Sequence, residues 1–456
     1  MAGPSVTSPM DRSDIQAVVF SSYKALACSS FVLARVRSGK ASAARACLGH
    51  LLDRVTFRAA DADPSTEALN VAITYEGFAA LGLPQAILDG FPREYAQGMD
   101  QEDRARALGD VDASAPGQWA WGSGDNRVHV MFMVFGKGAP EIEAARAALL
   151  RDIEEAFDVC YEKRGKQLGD DREHFGFRDG LSQPNFVSGK PVDPNDVPWG
   201  EVVLGEPNLY GKSLPEPLVP RGLDPTGVLG GAFGRNGSYL VARELLQDVH
   251  AFWSFLDEET RKTHGGQCDE AARDQLAAKM LGRTKDGVPL ADCDPPSNLN
   301  AFDFQNDKQG HKCPIGAHIR RANPRAALDP SPEESVETVR ARRIVRRGRS
   351  YGAPNWTPLT TPDKEPVDRG LVFICLNANI RRQFEFVQQT WMNNTKFAGL
   401  YDERDPIVGT TPVAFTIPQK PVRRHVVGIP AFTRVRGGAY FFMPSRRALR
   451  YLNDLP

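Results

Sequence analysis

The feature that most restricts how this chain can fold is a break: eight prolines and several glycines fall between Pro191 and Pro225. Proline offers no N–H to a helix or a central strand, so this stretch must be mostly loop. It separates an N-terminal part, residues 1–215, from a C-terminal part, residues 216–456. A chain of 456 residues is long enough for two or three cores of ordinary size.

Ahead of the break, hydrophobic periodicity predicts strand, helix, strand, strand, helix. The strands are Phe31–Val36, Ala68–Thr74 and Val128–Phe135, and the helices are Ala41–Val55 and Glu141–Phe157, with a short helix over Glu76–Leu83. A last strand is expected just ahead of Gly176. This order is the ferredoxin-like, split βαβ plan of an α+β fold. Behind the break the outline repeats with longer insertions. Gly237–Ala242 starts as a strand, Leu245–Leu256 reads as helical, and Gly370–Leu376 and Ile380–Met392 follow as strand and helix. Tyr440–Met443 closes as a strand before the helix Ser445–Leu452. Two ferredoxin-like halves with antiparallel sheets and peripheral helices are therefore expected.

Composition removes several function classes. With 41% hydrophobic and 25% charged residues the chain is of globular type. A net charge of −1 gives no global attraction to nucleic acid or to an anionic membrane. No apolar run reaches the roughly 18 residues that a membrane span needs. The seven cysteines are scattered and never form Cys-x-x-Cys, which reads as reduced thiols in a cytoplasmic protein. Cys-x-x-Cys-His is absent as well, so covalent haem attachment has no support. The N-terminus, MAGPSVTSPMDRSDIQ, lacks an export signal's pattern, in line with that location.

Three segments could carry chemistry. Cys313–Arg325 (CPIGAHIRRANPR) sets His318 behind a proline and a glycine, among residues too small for a packed helix core. Small side chains allow close backbone approach to something flat, though a cation-rich turn explains them too. Zinc is excluded there, because Cys313 and His318 have no second ligand pair at suitable spacing. Phe175–Pro184 (FGFRDGLSQP) brackets Arg178 and Asp179 with glycines, which would fix where the carboxylate points; Asp-Gly is also an ordinary turn dipeptide. Finally, six arginines crowd residues 340–349. They read as a solvated cationic strand, an anion-binding patch, or a strand that sends one arginine inward over a buried cofactor.

Together these segments resemble the dye-decolourising peroxidase family over nearly the whole chain, from Asp14 to Leu452. Gly176–Gly180 matches its Gly-x-x-Asp-Gly signature, and Cys313–Arg325 its iron-ligand segment. Ile344–Gly352 corresponds to the segment with its distal arginine, with Ser350 where proline is usual. The long Pro-rich loop points to the larger, elaborated branch. The resemblance implies one non-covalent haem b per chain, between the sheet and helices of the second half, with His318 as iron ligand. It gives Asp179 the acid–base role and Arg346 the distal arginine, with Arg347 as the alternative. Leu371 and Phe373 are expected over the distal face, and Asp405 is a candidate acidic partner for His318. Hydrogen peroxide would then oxidise dyes, phenols and similar aromatic donors through a ferryl intermediate, with an acidic optimum because Asp titrates below His. A monomer or homodimer without nucleic-acid or membrane partners is expected. The competing readings are a haem storage, sensing or iron-release protein, and a haem-free anion binder.

Overall fold

The computed structural model describes residues 10–58, 64, 66–328, 330–354, 367–410 and 413–455. Residues 1–9 of the N-terminal stretch lie outside them. In the first half the elements are β1 (Cys28–Val36), α1 (Ala41–Leu51), β2 (Glu67–Ile73), β3 (Val130–Gly136), α2 (Ala139–Ile153) and β4 (Phe157–Lys166). β1 lies antiparallel between β3 and β4, and β3 pairs antiparallel with β2, so the strands run in the order 4-1-3-2. That is the spatial order of the split βαβ plan.

The second half repeats it. β5 (Ser238–Gln247) is followed by α3 (Val249–Arg261), then by α4 (Glu270–Leu281), the short α5 (His318–Ala322) and α6 (Pro332–Arg340). β6 (Val345–Arg346), β7 (Arg349–Tyr351) and β8 (Gly370–Asn377) come next. Residues 381–392 form a helical segment of π character, with Glu385 N–H on Ile380 O at 3.0 Å. β9 (Thr433–Met443) and α7 (Arg446–Asp454) end the chain. β5 sits between β9 and β8, and β8 carries β6 and β7 on its far side. The halves meet where Ile73 of β2 pairs with Phe442 of β9, giving one nine-stranded sheet.

Each strand sends alternate residues to opposite faces. Val32, Val71, Phe132, Val241 and Phe442 belong to a core shared with α1, α2 and α7, while Phe31, Met131, Leu240, Ile374 and Phe441 pack a second core on the other face. The predicted elements are present, with shifted edges. Leu245–Gln247, read as the start of a helix, continue β5, because Leu246 pairs with both Gly370 and Arg434. The helix begins only at Val249, where the Asp248 side chain accepts from Ala251 N–H at 2.9 Å. The closing strand of the first half lies at 157–166, earlier than expected, and takes Phe157 from the predicted helix. Ladder bonds to neighbours outweigh local periodicity in both places.

Candidate functional site

A cavity of ≈ 370 Å³ opens between the sheet of the second half and the helices that cover it. Arg243, Leu245 and Gln247 of β5 and Leu371 and Phe373 of β8 form its sheet wall, and Phe384, Val387 and Met392 of the 381–392 segment face them. His318, Asp179 and Arg346 all line it. The residues singled out in sequence thus converge on one space.

His318 is the first residue of α5, set by the turn in which Ala317 N–H bonds Pro314 O. The small residues ahead of it have a packing reason: a Cβ on Gly316 would lie 3.3 Å from the Phe415 ring. The flat partner of that backbone is a protein side chain. The His318 imidazole turns Nδ1 to Asp405, at 3.0 and 3.2 Å from the two carboxylate oxygens. Asp405 is fully buried and is itself held by the N–H groups of Ile407 and Val408, both at 2.9 Å. Burial disfavours the imidazolium, but Asp405 outweighs it and raises the His318 pKa; burial likewise opposes ionisation of Asp405, and the imidazole and the two amides hold it low. Nε2 carries no hydrogen bond among the described residues and is left as the ligand nitrogen.

Asp179 sits in a turn whose two glycines, Gly176 and Gly180, have φ of 95° and 77°, conformations that other residues adopt with strain. Asp179 N–H bonds Asp171 O at 2.8 Å and Arg178 N–H bonds Lys285 O at 3.0 Å, which anchors the turn. Its carboxylate meets Arg346 Nη1 at 3.0 Å. Burial would raise its pKa, yet Arg346 and the Gly180 N–H lower it below the usual carboxylate range. Arg346 is aligned in turn by Gln183, whose amide bonds its backbone N–H at 3.2 Å and its carbonyl at 3.3 Å. Arg347 points elsewhere, to the carbonyls of Val18 and Val19 at 2.7 and 2.9 Å. Arg349 does the same toward Ser22 O. The arginine run therefore divides: Arg347 and Arg349 tie the sheet to the N-terminal segment, Arg340 reaches Asp193 O at 2.9 Å, and Arg342, Arg343 and Arg346 face the cavity.

The cavity wall holds seven arginines (178, 243, 283, 342, 343, 346 and 434) against four acids (110, 112, 173 and 179). Burial pushes Arg283 and Arg343 down to about 10, and each keeps a buried Nη2 without a hydrogen-bond partner among the described residues. The amide of Asn323 is likewise unpartnered. A surplus of uncompensated cations beside apolar walls suits a flat apolar molecule that carries carboxylates, as haem does. No cluster of three or more His, Cys, Asp or Glu side chains fit to hold a bare ion occurs among the described residues. A lone imidazole holds iron only where another ligand fills the rest of the coordination sphere, which a porphyrin would. Sequence reasoning assigned no role to Arg283, Asn323, Gln183 and Glu173; Asn323 and Gln183 had a local signal, since they lie in the segments around His318 and Asp179.

No profile of a known protein family matches the chain. It is 36% identical to the multifunctional dye peroxidase DyP2 of an Amycolatopsis species over 337 residues, covering 68% of this chain and 67% of that protein. The chain belongs to the dye-decolourising peroxidase family. It is also 29% identical over 430 residues to a dye-decolorizing peroxidase of the fungus Mycena epipterygia, 84% of this chain and 76% of that one. A solved dye-decolorizing peroxidase in complex with 2,6-dimethoxyphenol shares the fold at a TM-score of 0.77 and 23% identity, covering 96% and 98% of the two chains. The coverage of the fungal protein agrees with the elaborated branch expected from the long central loop. As a member, this peroxidase is an oxidoreductase whose family implies a haem site.

Proposed function

We propose that this peroxidase binds one non-covalent haem b per chain in the cavity, through His318 Nε2, and uses hydrogen peroxide to oxidise dyes, phenols and similar aromatic donors. The observation that carries the proposal is one cavity lined both by an imidazole with a free Nε2, its Nδ1 on a buried carboxylate, and by the Asp179–Arg346 pair. When bound, the haem supplies a redox-active iron that peroxide can oxidise and a donor can reduce. Asp405 makes His318 a stronger electron donor and fixes its tautomer. Arg283, Arg343 and Asn323 would take the propionate groups. Leu371 and Phe373 close the sheet side and exclude water.

Asp179 takes the proton from one peroxide oxygen and returns it to the other as the O–O bond breaks, so that water can leave. Arg346 stabilises the negative charge that builds on the departing oxygen and, before peroxide enters, keeps Asp179 ionised and aimed. With Asp179 held below the usual carboxylate range, its base form survives into acid, in keeping with an acidic optimum. The donor class is supported by the relative bound to 2,6-dimethoxyphenol. No helix among the described residues is long and apolar enough to cross a membrane, and all seven cysteines are free; a cytoplasmic monomer or homodimer is our reading.

Stopped-flow spectroscopy of the haem-loaded protein with one equivalent of peroxide tests these roles. Asp179→Asn and Arg346→Leu should each slow the loss of the resting Soret band, by roughly 10² to 10⁴ for the carboxylate. His318→Ala should lose the haem. If all three react like the wild type, the assignments are wrong, and turnover of only a few dye molecules per hour would instead favour haem storage.

A further inference from the structure

One acid on the cavity wall has no part in the mechanism above. Glu173 lies six residues before Asp179, at the root of the same turn. Its carboxyl accepts the N–H of Phe175 on Oε2 at 2.9 Å and the N–H of Phe177 on Oε1 at 3.0 Å. Backbone bonds from Glu173 N–H to Phe177 O and from Gly176 N–H to Glu173 O close the turn around it. A third donor, Gln247 Nε2 of β5, reaches Oε2 at 2.7 Å. The side chain therefore clamps the two residues on either side of Gly176 to the haem sheet, and Asp179 follows two residues beyond the clamp.

The three donors to the carboxyl are neutral groups. His174 bonds Tyr351 O at 2.8 Å, and burial keeps its pKa near 4, so it is neutral above mild acid. Arg172 is engaged by Gly176 O, Lys285 O and Asp286. From β5, Gln247 is the contact, and the next residue, Asp248, caps α3. Arg369, just ahead of β8, lends its carbonyl to Gln247 N–H at 2.9 Å, and its charge acts on His174. Of the charged neighbours, Asp179 acts on Glu173, and it opposes a second negative charge; burial opposes it more strongly, and the carboxyl is pushed up to about 7 against the pull of its three donors. Gln247 Oε1 is buried and has no hydrogen-bond partner among the described residues. An amide turned about its own axis would offer that oxygen to a Glu173 O–H, giving the acid form a complete set of bonds.

We infer that Glu173 is a positioning residue for Asp179, which it serves as a neutral acid clamped to Gln247, and that its ionisation sets the alkaline limit of peroxide turnover. With the proton on, this part of the wall carries one negative charge, on Asp179, and Arg346 balances it. With the proton off, a second carboxylate charge stands beside Asp179 and opposes the negative charge that builds on the departing peroxide oxygen, which Arg346 is there to stabilise. The limb falls near neutrality, above the acid limb that Asp179 sets. This rests on the peroxidase reading given above.

The test uses Glu173→Gln, whose amide nitrogen donates to Gln247 Oε1 and whose oxygen still accepts the Phe177 N–H, at the loss of the Phe175 bond, and which cannot ionise. In the haem-loaded enzyme, kcat/KM for hydrogen peroxide should match the wild type within about twofold near pH 5 and should lose the wild type's fall above about pH 7. Glu173→Ala, which removes the clamp, should lose roughly tenfold or more at every pH, and a failure of this variant to fold leaves the glutamine comparison intact. Infrared difference spectra between about pH 5 and pH 9 give a readout without turnover: a carboxylic-acid C=O band should titrate near neutrality in the wild type and be missing in Glu173→Gln. An alkaline limb that stays in place in Glu173→Gln, or a spectrum with no such band to lose, overturns the inference. If the band titrates as expected while neither protein turns over peroxide, it is the peroxidase reading that fails.

Discussion

Arg346 and Asp179 illustrate how a single contact sets both reactivity and pH range. Burial alone would raise the Asp179 pKa; the guanidinium at 3.0 Å and the Gly180 amide reverse that. A carboxyl whose pKa is depressed keeps its base form as pH falls, and loses it only below the depressed value. Replacing Arg346 by leucine removes the largest opposing influence, so the acid limb of kcat/KM for peroxide should move to higher pH, with a lower plateau. A limb that stays put or moves down would show that Arg346 does not hold the carboxylate. On the other wall, Asp405→Asn keeps the shape but removes the charge beside His318 Nδ1. Haem affinity should drop by about 10- to 100-fold, measured by transfer to apomyoglobin, and the iron's reduction potential should rise because the imidazole donates less. Asp179 and Arg346 were singled out through the motifs around them, whereas Asp405 was only a candidate partner for His318. Glu173 and Arg283 were not singled out, since their significance comes from what they meet across the fold.

Among the elements, the strands were read well where an apolar run was of strand length, as in 128–135 and 370–376, and less well where a ladder recruited residues of helical character, as in Leu245–Gln247. The short pieces around the site were illegible for a different reason. β6 has two residues and α5 five, too few for any period to show. Their placement depends on side chains that act as struts, and Gln183 is the clearest. Its amide bonds both the N–H and the carbonyl of Arg346, much as a neighbouring strand would, and so joins the Asp179 turn to β6. Gln183→Ala removes two such bonds, each worth about 0.5–1.5 kcal/mol. The variant should unfold a few degrees lower and lose about tenfold in kcat/KM for peroxide, with little change in KM for a dye. Unchanged peroxide kinetics would mean that the turn and the strand are aligned by other contacts.

For the whole molecule, the repeat of the 4-1-3-2 strand order suggests two separable units, but the packing joins them. Phe442 of β9 is fully buried and lies 5.4 Å from Phe91 and 6.1 Å from Phe78 of the first half, and 5.3 Å from Tyr239 of β5. Tyr95 lies tilted against Tyr239 at 5.5 Å, and Phe78 meets Phe233 edge-on at 5.4 Å. One aromatic core thus spans the joint where β2 and β9 pair, and neither half can bury its share alone. We propose that the boundary near residue 215 marks two stretches of chain within one cooperative unit. Phe442→Ala deletes the ring at the centre and should cost about 3–5 kcal/mol, a large part of the 5–15 kcal/mol that holds a typical domain folded. Calorimetry of the haem-free protein should then give a single endotherm that moves down as a whole in the variant, while haem loading moves it up by mass action. Two endotherms in the wild type, with Phe442→Ala shifting one of them, would show that the halves melt independently and that the shared core couples them weakly.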